Sequence, residues 1–307
     1  MSDSAAATDP QPVLVVGANG LVGAQVCTRL ASHGTPVRAL VRRAGTAPQA
    51  PGVTEVVGEM LEPADVEAAL AGCQAVVTTV HPMGSDRATQ AQVGVQGNLA
   101  VARAAAAVGV DRLVHVSTAA VYDRSPGVGD VDEDSAVVPD DADDYAVTKR
   151  DTDAAIAEVE GITRVLVRPP AILGEGETSV WNTLRPRGMQ EDPSSGSHRP
   201  EQSWPWVHVA DLAALIADVA TGAIPTGTDP SLGPVPGGCT VVNAAGRPAT
   251  QADYHRAVAG ALDLELPEVT DGEVWRGRLV ADRALAWGWT PQVDLDVALT
   301  ELAEGLR

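Results

Sequence analysis

Val13-Leu14-Val15-Val16-Gly17-Ala18-Asn19-Gly20-Leu21-Val22-Gly23 is the stretch that decides the fold. Four consecutive apolar residues, three of them Val, read as a short strand buried on both faces. Three glycines follow at the spacing G-x-x-G-x-x-G. Val22, Val26 and Leu30 then recur every four residues, the period of an amphipathic helix that ends near Gly34. A glycine turn alone is only a turn. Between a buried strand and a helix it lets the backbone approach a pyrophosphate at the positive helix end. The predicted cradle is Gly17, Asn19, Gly20, Leu21, Val22 and Gly23.

Outward from this unit the same alternation continues. Val37–Val41, Val53–Val57, Ala75–Val80, Leu113–Val116 and Arg164–Val167 read as strands, with helices at Ala88–Val108 and Asp144–Glu160. Strand alternating with helix means βαβ units and a parallel sheet. The expected fold is α/β, a Rossmann doubly wound parallel sheet with a smaller C-terminal substrate-binding lobe. Residues 1–11 are expected as a disordered tail and 12–170 as the dinucleotide-binding domain. Residues 171–307 would be mainly the substrate lobe, with a segment at about 205–245 returning to the core. Within that half, Asp211–Ala220, Gln251–Leu262 and Leu295–Leu306 read as helices and Thr240–Asn243 as a strand. Gly174 to Pro205 is rich in Gly, Pro and Ser and reads as a long functional or mobile loop.

Composition narrows the partners. The 307 residues hold 21 basic and 41 acidic side chains, a net charge of −20. That balance argues against nucleic acid and anionic membranes. Aromatics are 3% with no Phe, so bases would find few stacking platforms. Cys27, Cys73 and Cys239 fit neither a disulfide framework nor a zinc site, and no metal is expected. Free thiols imply a reducing, cytoplasmic compartment. The N-terminal residues lack the basic and apolar regions of a secretory signal. No apolar run approaches the ~18 residues of a membrane helix. Eight carboxylates between Asp130 and Asp144 match no calcium loop and read as a solvated face.

Chemistry-bearing residues follow the strands. After the second strand stands Arg42-Arg43, where an acid would hold the ribose hydroxyls of NAD. Guanidinium pairs with a 2′-phosphate, so NADP(H) is preferred and NAD(H) is the alternative. Glu59 and Met60, after the third strand, and Thr79 and Val80, closing the fourth, are the next cofactor candidates. Tyr145 and Lys149 stand four residues apart and share one helix face. A nearby ammonium favours phenolate, which suits a tyrosine acid/base near neutral pH. Lys149 is the only lysine among 307 residues, so its placement is informative. Ser117-Thr118 offers hydroxyls at a strand's carboxyl end, where ligands sit in such sheets.

Together these motifs resemble the extended or atypical short-chain dehydrogenase/reductase superfamily, in its epimerase/dehydratase-like branch. The resemblance rests on Gly17–Gly23, HVSTAAVYD from His115 to Asp123, Tyr145/Lys149, RPPAILG from Arg168 to Gly174 and WVHVADLA from Trp206 to Ala213. It covers nearly the whole chain. It implies Tyr145 as acid/base, Lys149 on the nicotinamide ribose and Thr118 orienting the substrate oxygen. It also implies Pro169, Ala171 and Ile172 beside the cofactor, and a homodimer seam along the Ala88–Val108 and Asp144–Glu160 helices. His208, Asp211 and Trp287-Gly288-Trp289 match family motifs read as structural. Departures matter too. Gly94 stands where the family often has Asn, His81-Pro82-Met83-Gly84 replaces an alanine-rich segment, and Ala171 replaces an amide found in sugar-nucleotide epimerases.

The reading is an NADP(H)-dependent oxidoreductase acting on a small carbonyl or alcohol through Thr118, Tyr145 and Lys149. Ser117, His81, Trp181 and Trp206 are candidate substrate contacts. One alternative is an NAD-dependent sugar-nucleotide epimerase or dehydratase. Another is a non-catalytic NADP(H)-binding sensor or scaffold.

Overall fold

The computed structural model describes residues 10–192, 199–266 and 268–307. The expected tail lies almost wholly outside these residues, as do residues 193–198 of the long loop.

Val13–Val16 forms strand β1 and is at most 2% exposed along its length. Helix α1 (Leu21–Ser32) follows the glycine turn. Strands β2 (Val37–Val41) and β3 (Val53–Val57), helix α2 (Pro63–Leu70) and strand β4 (Ala75–Thr78) complete the first half. The expected long helix then comes in pieces: a turn α3 (Arg87–Thr89), a π-helical stretch Gln90–Gly97, and α4 (Asn98–Ala107). Strand β5 (Arg112–Val116), helix α5 (Asp144–Ala157) and strand β6 (Thr163–Arg168) come next.

All seven strands of the main sheet run parallel, in the order β3-β2-β1-β4-β5-β6-β9, where β9 is Cys239–Asn243. The order reverses between β1 and β4, which opens a crevice at their carboxyl ends. The doubly wound α/β fold is therefore as expected. Period-two alternation sorts β1 between two cores. Val13 and Val15 pack with α1 and helix α7 (Val209–Thr221) on one face. Leu14 and Val16 pack with α2, α4 and α5 on the other.

Beyond β6 the chain forms a two-stranded parallel pair, β7 (Ala171–Leu173) and β8 (Trp206–His208), with α6 (Arg185–Glu191) between them. The interval expected as one irregular loop thus contains a π-helical turn, Val180–Leu184, and a helix. Helices α8 (Gln251–Leu262) and α10 (Leu295–Gly305) pack together, and α9 (Asp282–Ala286) lies against β9. Trp204, Trp206 and Tyr254 anchor this part of the core, buried among Leu and Val side chains. Among the described residues no helix is long and apolar enough to cross a membrane, and no cluster of metal-ligating side chains occurs.

Candidate active site

The glycine turn has no room for side chains. Gly17 adopts a left-handed φ of +85°, and a Cβ there would meet the Thr79 hydroxyl at 2.6 Å. A Cβ on Gly23 would stand 2.2 Å from the Gly17 carbonyl. At its N-cap Gly20, α1 has no side-chain cap, and its first turn carries no acid. An anion is favoured at such an end. The Leu21 N–H meets the Thr178 hydroxyl at 3.1 Å. Val80 packs beside Gly17, and Thr79 hydrogen-bonds to the Val16 and Gly17 carbonyls. These features fit a dinucleotide pyrophosphate.

At the end of β2, Arg42 and Arg43 are both exposed. Their loop is held from β3 by Glu55, whose two oxygens accept from Gly45 N–H at 2.9 Å and Ala47 N–H at 3.0 Å. These backbone donors hold the Glu55 carboxyl below its usual range. Glu59 is exposed, and Met60 is buried against Gly97.

Thr118, Tyr145 and Lys149 come together at the carboxyl end of β5. Thr118 is buried and accepts a hydrogen bond from Ala120 N–H at 3.1 Å, which leaves its own proton free to be donated. Its hydroxyl lies near enough to the Tyr145 phenol to oppose the rise in that group's pKa. Asp143 caps α5 by accepting from Tyr145 N–H at 2.9 Å, and so fixes where the helix starts. One turn on, Lys149 is buried and donates to the Val116 carbonyl at 2.7 Å.

The electrostatics differ from the sequence expectation. Burial raises the phenol's pKa, partly opposed by the Thr118 hydroxyl and reinforced by Asp143 and Asp153. The lysine is not among the groups that bring it down, and its ammonium donates to the Val116 carbonyl. Burial also draws Lys149 down to about 8, against the pull of the Asp153 carboxylate. Asp153 is one further turn along α5, buried, and paired to Arg168 Nε at 2.9 Å. Arg168 in turn stacks on the Tyr122 ring at 4.9 Å. Spacing could have shown Asp153, which continues the Tyr145/Lys149 face by four residues. Arg168 lies on β6, and no local signal links the two.

The candidate substrate residues separate. Ser117 is buried, and its hydroxyl acts on the pKa of the Asp153 carboxyl under α5. Trp206 is 1% exposed and donates to the Arg247 carbonyl at 2.9 Å, a core anchor rather than a pocket wall. Trp181 is half-buried and meets Trp204 and Tyr254 edge-on. His81 stands edge-to-face with Tyr145 at 5.0 Å. Pro169 accepts from Ala119 N–H at 2.8 Å, and Ala171 and Ile172 lie half-buried on β7. Asp211 and Trp289 are structural, as the motif reading held. The Asp211 carboxylate accepts from Gln292 and Val293 N–H, each at 3.0 Å, and the Trp289 indole donates to the Asp211 carbonyl.

A family model described as NAD(P)H-binding matches residues 17–222, the span from the glycine turn to the end of α7. The chain belongs to the NAD(P)H-binding family. Its expected place in the short-chain dehydrogenase/reductase superfamily is borne out, as is an NAD(P)-dependent enzyme of that kind. The chain is similar to a 3-beta-hydroxysteroid dehydrogenase of Mycolicibacterium neoaurum, 26% identical over 94% of this chain and 79% of the relative. It is similar also to a 4-hydroxy-2-methyl-3-oxo-4-farnesyl-3,4-dihydroquinoline-1-oxide ketoreductase of Stigmatella aurantiaca, 31% identical over 55% of this chain. That match spans about half of the ketoreductase, 53% of its length. In fold, the chain is like the Thermus thermophilus UDP-glucose 4-epimerase solved with NAD. There the TM-score is 0.73 and the identity 22%, over 96% of this chain and 99% of that one.

Proposed function

We propose that this family member is an NADP(H)-dependent oxidoreductase that interconverts a carbonyl and an alcohol. The observation that carries the reading is the convergence of the Thr118 hydroxyl, the Tyr145 phenol and the buried Lys149 ammonium, one strand from the sheet's switch point. A bound nicotinamide cofactor would supply or accept the hydride. Tyr145 would give its proton to the carbonyl oxygen. Thr118 would hold that oxygen by hydrogen bonding, and Lys149 would place positive charge beside it. Burial keeps the phenol protonated at neutral pH, which suits an acid more than a base.

Preference for NADP(H) is supported by two exposed arginines after β2 and by the engagement of Glu55 with loop amides. The glycine cradle would take the pyrophosphate of NADP(H) and NAD(H) alike. As to substrate, the relatives' names point to a hydroxyl or keto group on an apolar skeleton. Met83 and Leu184, on the segments after β4 and β7, are 55% and 48% exposed and suit such a skeleton.

The NAD-dependent epimerase reading draws equal support from the fold, since a UDP-glucose 4-epimerase shares it. Titration of the purified protein with NADPH and NADH, followed by nicotinamide fluorescence, bears on the choice. Tighter NADPH binding that falls in an Arg42→Ala/Arg43→Ala protein supports the reductase. A tightly held, non-exchanging NAD supports the epimerase. Unchanged cellular function after Tyr145→Phe, with cofactor still bound, would instead make the protein a sensor.

A further inference from the structure

His81 is held in a way that no cofactor or substrate contact explains. Its Nε2 lies 3.1 Å from Gln90 Oε1. The Gln90 amide has a fixed orientation, because its Nε2 donates to the Ser85 carbonyl at 2.8 Å and no oxygen could stand there. Oε1 is thus an acceptor, shared with the Thr148 hydroxyl at 3.0 Å. His81 must therefore carry its proton on Nε2, and Nδ1 is a bare lone pair. Burial, with the Lys149 charge nearby, lowers the imidazole pKa to about 4, so the ring is neutral at physiological pH.

Two further observations locate the ring. It meets Tyr145 edge-to-face, with centroids 5.0 Å apart and planes at 82°. On its other side Nδ1 is buried without a hydrogen-bond partner, against Gly94. A Cβ at position 94 would approach Nδ1 to 3.0 Å and Cε1 to 3.3 Å. Gly94 is helical and needs no left-handed φ, so its backbone does not demand glycine. The imidazole does. The π-helical stretch Gln90–Gly97 serves the same end, since it brings Gln90 and Gly94 to the ring together.

We propose that His81 is a positioning residue for Tyr145, a neutral imidazole clamped by Gln90 that shields the phenol from water and fixes its plane, in a space that Gly94 leaves open. The inference rests on the reading of Tyr145 as the acid, but its physical content can be tested without turnover. Besides its burial, the groups that act on the phenol's pKa are Thr118, Asp143 and Asp153. Lys149 is the charged group that acts on the imidazole, and the imidazole and Lys149 both act on the buried His115 ring.

The test uses the full chain with ¹³Cζ-labelled tyrosine, read by NMR through a pH titration. There are three tyrosines, and Tyr145→Phe assigns the resonance. His81→Ala should hydrate the phenol and lower its ionisation midpoint by about one pH unit. His81→Phe, which keeps a ring but no nitrogen, should restore most of the shift. Gly94→Ala should move the Tyr145 resonance in the His81 protein and leave it in place in the His81→Ala protein, a coupling that mere destabilisation would not produce. Gly94→Ala asks the imidazole to give by only a few tenths of an ångström, and Ala suits a helix, so the shift it causes in the His81 protein remains readable if His81→Ala does not fold. An unchanged midpoint in a folded His81→Ala, or equal effects of Gly94→Ala in both backgrounds, overturns the inference. Full turnover by Tyr145→Phe would overturn the catalytic reading instead and leave this measurement standing.

Discussion

Lys149 sets the pH behaviour expected at the scale of single residues. Burial holds its pKa at about 8, so the ammonium persists at neutral pH and is lost above that value. Turnover should therefore be flat below about pH 8 and fall above it. Lys149→Arg keeps a charge but not the compact ammonium that reaches the Val116 carbonyl, and should cost at least about tenfold in kcat. A pH–rate profile on both proteins checks this. His81 gives a stability prediction with a definite sign. Its pKa falls from 6.5 unfolded to about 4 folded, so between those values the unfolded chain binds more protons. Stability from this group is complete above pH 6.5 and is lost as pH falls toward 4. Urea midpoints at pH 7 and pH 5 should differ less for His81→Phe than for the natural chain.

Elements carry the cofactor site, and here the sequence was most readable. Buried strand, glycines and helix stand next to one another in the chain, so the cradle needed no long-range information. The π-helical stretch was not readable, because Gln90–Gly97 has the residue pattern of an ordinary helix and its register shift answers to His81 and α5. Helix α2 was missed because its eight residues start at Pro63, directly after Glu62, and show little periodicity. Gly23→Ala would force a Cβ to 2.2 Å from the Gly17 carbonyl. It should open the turn, abolish NADPH binding and destabilise the chain by about 1–3 kcal/mol, as titration and denaturation would show. Glu55→Ala should free the 42–47 loop and weaken NADPH binding more than NADH binding, if the arginines hold the 2′-phosphate.

Long-range contacts unite the molecule, and they account for what the sequence did not disclose. Asn243, at the end of β9, is fully buried. Its Oδ1 accepts from the Tyr122 hydroxyl at 2.8 Å and its Nδ2 donates to the Val280 carbonyl at 3.0 Å. Its own N–H donates to Glu133 Oε1 at 2.9 Å. One amide thus ties the segment after β5 to the sheet and to the residues before α9, across more than a hundred positions of sequence. Asn243→Ala would remove a hydrogen-bond partner from the buried Tyr122 hydroxyl and from the Val280 carbonyl, and should lower stability by about 1–3 kcal/mol in urea unfolding. Trp206 looked like a pocket residue for the same reason in reverse. Its partner, the Arg247 carbonyl, lies 41 residues away.

Net hydride transfer dependent on Tyr145 is the central claim, and one measurement reaches it most directly. The protein would be supplied with NADPH deuterated at the transferable C4 position and a 3-ketosteroid, then with simple alkyl ketones, and the products weighed by mass spectrometry. One deuterium in the alcohol, an equal amount of oxidised cofactor, and loss of both in Tyr145→Phe are the expected results. Product formation undiminished in Tyr145→Phe would contradict the account. So would a cofactor that stays bound and unoxidised while a nucleotide sugar is inverted.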